Sequence, residues 1–202
     1  RIDLKHNLAR VYLGKKDFSS SKKLLLELLE ETPPTDLAPF YMNLISIAVL
    51  EKEFVLAKEY LQKVKDSKTE INYNLDLTES YILSEIGRPK EALAILDKSS
   101  AVTGQILYKK ATLNFVLGNL DTATKQLEKA IGKEPEKATY YTLMAEILLH
   151  KQQYEEAAEY ALTSIEIIKY FPKAHLILGQ ALEKLGDLEN AKVAYEMANS
   201  LK

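Results

Sequence analysis

The stretch KAHLILGQALEKLGDLENAKVAYEMANSLK, residues Lys173–Lys202, decides the fold. Apolar side chains recur three and four residues apart on both sides of Gly186, which predicts two amphipathic helices joined by a tight turn. One unit earlier stands KATYYTLMAEILLHKQQYEEAAEYALTSIEII, and before it QILYKKATLNFVLGNLDTATKQLEKAIGKEP. Aligned on the alanine that opens the second helix, these units give Ala123, Ala157 and Ala191, 34 residues apart each time. The same template continues upstream through Ala92, Ala57 and Ser21, at spacings of 31, 35 and 36. Self-similarity at such a period signals a stacked array, because one helix pair alone cannot bury its apolar faces.

The reading is therefore all-α, a single array over 1–202 of six helix-turn-helix units and about 12 helices. The approximate repeats are 2–34, 38–70, 73–103, 104–137, 138–171 and 172–202. Pro33, Pro34, Pro39, Pro135 and Pro172 fall between amphipathic segments, where proline ends or starts helices. Gly87, Gly118 and Gly186 fall where the turn inside a unit is needed. Asp17, Asn119 and Asp187 precede second helices and suit an N-cap; Pro89 suits a first helical turn.

Composition narrows the function. With 27 basic and 29 acidic residues the formal charge is -2, which gives no bias toward nucleic acid or an anionic membrane. There is no cysteine, so disulfides and thiolate metal sites are excluded and the compartment stays open, the cytoplasm being the default. No apolar run is long enough to span a bilayer, and RIDLKHNLAR is not a signal peptide. The chain lacks an initiator Met and is expected to be a piece of something longer. His6, His150 and His175 have no ligand spacing, so no metal is expected. No phosphate loop or nucleophile elbow exists, so neither a cofactor nor a catalytic centre is expected. Carboxylates such as Glu155, Glu156 and Glu159 read as a solvated face, and Tyr12, Tyr41, Tyr141 and Tyr195 as packing residues.

The pattern resembles the tetratricopeptide repeat. Its position 8, small in the family, is here Ala9, Ile45, Ser80, Ala111, Ala145 and Gly179, and its Ala at 20 is here Ser21, Ala57, Ala92, Ala123, Ala157 and Ala191. Leu25, Leu61, Leu96, Leu127, Ala161 and Tyr195 hold position 24, and Pro33 and Pro135 hold position 32. Small side chains at 8 and 20 let two helices nest closely while bulky neighbours fill the space around them. Repeats three and four depart from this, with Glu79 and Lys110 at position 7 and Asn114 at position 11. Polar groups at core positions are costly unless paired. Glu79 and Lys110 either meet or reach solvent, and the array is expected to loosen around 98–105.

The resemblance implies a right-handed superhelical solenoid that acts as a non-catalytic protein-binding scaffold, with first helices lining a concave groove. Groove positions are held by Arg10, Asn43, Ser46, Asn74, Tyr81, Tyr108, Thr112, Phe115, Glu146 and Gln180, and also by Thr142, Leu143 and Lys173. A peptide across repeats two to five, anchored near Tyr81, Tyr108 and Phe115, is the expectation, since exposed aromatics anchor interfaces. The family's clamp for a chaperone tail is matched only by Asn43. The alternative function is a structural or oligomerisation segment of a larger enzyme or secretion assembly. Self-association through an uncapped sixth repeat is a further expectation. RNA binding is disfavoured by the charge balance.

Overall fold

The computed structural model describes residues 2–33, 37–67 and 74–200. Pro34, expected between two helices, lies outside the described residues. The described residues form twelve α-helices and no strand. The helices are α1 (Ile2–Gly14), α2 (Phe18–Glu31), α3 (Ala38–Leu50), α4 (Phe54–Asp66), α5 (Leu75–Glu85) and α6 (Pro89–Lys98). They continue as α7 (Gly104–Val116), α8 (Leu120–Lys133), α9 (Ala138–His150), α10 (Tyr154–Ile167), α11 (Pro172–Lys184) and α12 (Leu188–Ser200). They form two compact units, Arg1–Ile95 and Leu96–Lys202.

The helix crossings follow the repeat template. Ala9, Ser80, Ala111 and Ala145 are fully buried, and so are Ser21, Ala57, Ala92, Ala123 and Ala157. Leu25, Leu61, Leu96 and Leu127 fill the space beside them. Ser21 tolerates a dry position because its hydroxyl donates to the Ala9 carbonyl at 2.8 Å. In the second unit one core runs through Leu127, Met144, Ile147 and Ile177.

Every turn inside a repeat has the same geometry. Lys16, Lys52, Gly87, Gly118, Gln152 and Gly186 all have positive φ, between 60° and 83°. Each sits at the fifteenth place of its repeat. The residue after it donates its N–H five residues back, as Asn119 does to Asn114 and Gln153 to Leu148. This is the Schellman arrangement that satisfies the last carbonyls of a helix. Only three of the six positions carry the glycine the sequence led one to expect. Of the three expected N-caps, Asp17 accepts from the Ser20 amide and Asp187 from the Asn190 amide. Asn119 does not cap: its amide instead donates to Asn114 Oδ1 at 3.1 Å.

The three polar residues singled out at positions 7 and 11, Glu79, Lys110 and Asn114, are each paired, whereas the hydroxyl of the fully buried Ser80 has no hydrogen-bond partner among the described residues. Asn114 is 4% exposed, and its Nδ2 donates to the Lys110 carbonyl and to Gln126 Oε1. Lys110 extends from α7 to Asp97 at 2.5 Å, and Glu79 in the first unit takes Lys65 at 2.5 Å. Each of these two charges therefore has its own partner on a neighbouring helix.

Candidate protein-binding face

In the second unit α7, α9 and α11 follow one another as first helices, and six of the expected binding residues, Tyr108, Thr112, Phe115, Glu146, Lys173 and Gln180, lie on them at exposed or half-buried positions. Tyr108 on α7 stacks on Tyr140 of α9, with centroids 4.9 Å apart and planes 25° from parallel. Tyr140 is held in turn by Glu134, whose Oε2 accepts its hydroxyl proton at 2.7 Å. Glu134 lies against Gly104, where a β-carbon would stand 2.7 Å from its carboxyl carbon. The stack is thus built from residues far apart in sequence, and only Tyr108 was visible as a candidate from the repeat register.

On α9, Glu146 reaches Lys173 of α11 at 2.6 Å. Burial raises the Tyr108 pKa, while the Lys173 ammonium and the Thr112 hydroxyl oppose that rise and Glu146 adds to it. Tyr108, Glu146 and Lys173 therefore share one electrostatic neighbourhood drawn from three successive first helices. Thr112 is half-buried and donates to the Tyr108 carbonyl at 2.9 Å. Phe115 meets the exposed His150 ring edge-on, with centroids 5.1 Å apart. Gln180 is half-buried, and Leu176 beside it is 42% exposed.

Two residues expected on this face are not there. Thr142 and Leu143 are 2% and 5% exposed. The Thr142 hydroxyl stands 2.7 Å from Ser164 Oγ and shares the Ala138 carbonyl with it. Thr142 is thus buried against α10, the second helix of its own repeat, and Leu143 belongs to the core of the second unit.

The first unit holds the remaining candidates. Asn43 Nδ2 and His6 Nε2 lie 2.7 Å apart, and the His6 ring meets Phe40 edge-on. Burial lowers the His6 pKa, Arg10 adds to this, and Asp3 opposes it. Arg10 and Ser46 are exposed, with the Ser46 hydroxyl donating to the Met42 carbonyl. Asn74 caps α5, accepting the Leu77 amide at 3.1 Å, which commits its side-chain oxygen to the helix end. Tyr81 is 39% exposed, its ring 6.3 Å from Phe54. Among the described residues no helix is long and apolar enough to cross a membrane.

Comparison with known proteins agrees with this architecture. Two family models described as tetratricopeptide repeat match residues 108–168 and 172–202. Both stretches are tetratricopeptide repeats. Over its whole length it is 24% identical to tetratricopeptide repeat protein 21B of Xenopus laevis, of which it spans 16%. The fold is shared with PilW, a type IV pilus biogenesis factor, at a TM-score of 0.82 and 16% identity, covering 96% of this chain and 90% of that one. It is shared also with pilF of Pseudomonas aeruginosa, at 0.76 and 19%, covering 100% and 97%. The MamA protein superposes with a TM-score of 0.63 at 21% identity, covering 81% of this chain and 91% of that one. At such identities these structures speak for the fold alone.

Proposed function

We propose that the chain is a non-catalytic protein-interaction scaffold, and that a partner segment lies across α7, α9 and α11 of its second unit. The observation that carries this reading is the convergence of Tyr108, Glu146 and Lys173 from three adjacent first helices. The Glu146–Lys173 pair is half-exposed, so opening it costs no more than about 1 kcal/mol. It offers a partner one acceptor and one donor at the same point. Leu176 supplies exposed apolar surface on α11, Phe115 a half-buried ring on α7, and Gln180 an amide. This combination suits an extended segment with an apolar side chain next to charged or polar ones.

The test is a peptide selected against the intact chain by display and then measured by calorimetry against variants. Lys173→Glu and Phe115→Ala should each weaken it at least about tenfold, the loss typical of an interface anchor. Circular dichroism of Lys173→Glu should match the parent, since Lys173 is exposed, whereas Phe115 is half-buried against the core and its variant is compared only at temperatures where its melt shows it folded. Equal affinity for parent and Lys173→Glu would remove the site.

A further inference from the structure

Two repeats close the gap between their helices with a pair of tyrosines. Tyr41 and Tyr60 lie 6.0 Å apart at 37°, and Tyr141 and Tyr160 lie 6.2 Å apart at 32°. In both cases the second ring stands 19 residues after the first, at the same two places of the repeat. The sixth repeat keeps this register but not the rings: its two places are His175 and Ala194. Where Tyr60 and Tyr160 lie in their repeats, the sixth has an open cleft of about 370 Å³.

The cleft is walled by Leu162 and Ile165 of α10, Leu178 and Leu182 of α11, and Val193 and Met197 of α12. It is almost wholly apolar. His175, at its edge, is 7% exposed and already bonded through Nε2 to the Lys169 carbonyl at 2.9 Å. The Asn190 side chain is held by Asp187. One repeat earlier the place of Leu162 is taken by Glu128, a charge that acts on Tyr160. Here that charge is absent, and Leu162 and Val193 stand 48% and 55% exposed. Apolar surface of this kind, in a concavity large enough for a ring, is a binding feature more often than a packing fault.

We propose that this cleft receives a tyrosine side chain presented by a protein partner. The occupant is argued from the chain itself. The equivalent place holds Leu24, Tyr60, Ile95, Gln126 and Tyr160 in the other five repeats; tyrosine is the largest of these and the one that recurs, whereas the sixth repeat, with Ala194, leaves the gap open. An aromatic ring buries a large apolar area at little entropic cost, while its hydroxyl can stay at the solvent edge. The site is independent of the face over α7, α9 and α11, and either can fail without the other.

The test uses N-acetyl-tyrosinamide as probe and methyl resonances of Leu162, Ile165, Leu178 and Val193 as reporters in the 202-residue chain. A saturable shift confined to these methyls is expected, with N-acetyl-leucinamide binding about fivefold more weakly or worse. Ala194→Tyr should abolish the shift by restoring the internal ring. Val193→Lys, at the exposed rim, should weaken binding with no change in melting temperature, and so covers the case in which Ala194→Tyr fails to fold. Equal binding of the leucine probe, or binding that survives both variants, overturns the proposal. So does a parent that sediments as a dimer and becomes monomeric on Ala194→Tyr, since the occupant is then a second copy.

Discussion

The ring of Tyr195 rests on the backbone of Gly179, so close that a β-carbon there would lie 2.7 Å from both Cδ1 and Cε1. Its hydroxyl is fixed at the far end by Glu183 Oε2, 2.6 Å away. Gly179→Ala must therefore displace a ring tethered at both ends. The expected cost is about 1–3 kcal/mol, the usual penalty of overpacking. Adding Tyr195→Ala to that variant should return much of the loss, which a double-mutant cycle on thermal melts would measure. Burial and the Glu183 carboxylate together push the Tyr195 phenol up to about 12. Glu183→Gln should lower that value, as read by NMR titration of the Tyr195 ring carbon.

Helix nesting depends on the small residues at each crossing. Ala123 is fully buried between α7 and α8, whereas Ala94 on α6 faces solvent. Ala123→Leu should cost on the order of 1–3 kcal/mol through overpacking. Ala94→Leu should change the melting temperature hardly at all. Similar losses from both would mean that packing at the crossing is not what the substitution disturbs.

The crossings were legible in the sequence because small size recurs at a fixed place, whatever surrounds it. The turns were legible only where glycine marked them. Lys16, Lys52 and Gln152 adopt the same left-handed conformation without that marker, because the Schellman bonds hold the chain there. The site was read less well. Thr142 shares its repeat position with Tyr108, yet it is buried while Tyr108 is half-exposed. Register gives the direction of a side chain from its own helix, but not how much neighbouring helices cover it. The Tyr108–Tyr140–Glu134 stack was hidden for the same reason, since it is made across helices. The open cleft at Ala194 had a signal, a tyrosine absent from a place that two other repeats fill.

These turns give a prediction of opposite signs. Gly118→Ala places a β-carbon at a φ of 80°, with a cost of roughly 1–2 kcal/mol. Gln152→Gly removes the same strain from an equivalent turn, offset by the larger chain entropy of glycine. Denaturant midpoints should fall for the first variant and stay level or rise for the second. A marked fall for Gln152→Gly would show that its side chain, rather than the turn, is what matters there.

Asn114 is a donor hub in a dry place, and its replacement by Asp tests the network. Asn114→Asp keeps the shape but removes the two donations, to the Lys110 carbonyl and Gln126 Oε1. A carboxylate facing those oxygens should cost at least about 1–3 kcal/mol near neutral pH. Burial would raise the new carboxyl above its unfolded value, so the penalty should shrink as pH falls and the group protonates. Urea unfolding at neutral and mildly acidic pH checks both points. A deficit independent of pH would contradict the buried-charge account.

His6 provides the remaining test, in the first unit. Its folded pKa lies below the unfolded value of 6.5, chiefly because burial disfavours the imidazolium. Arg10 acts in the same direction and Asp3 against it, while Asn43 and Phe40 are the neighbours from α3. With the Asn43 amide donating to Nε2, the neutral ring is the bonded form. Below the unfolded pKa the unfolded chain takes up the proton more readily than the folded one. The stability contributed by neutral His6 is thus fully present above that value. It declines as pH falls toward the folded pKa and levels off beneath it. His6→Gln keeps a side-chain acceptor for Asn43 but cannot titrate. Comparing urea midpoints of parent and variant between about pH 7.5 and 5 isolates this residue from the other histidines. The parent should lose stability toward the acid end faster than His6→Gln, and parallel curves would show that the His6–Asn43 contact carries no pH dependence.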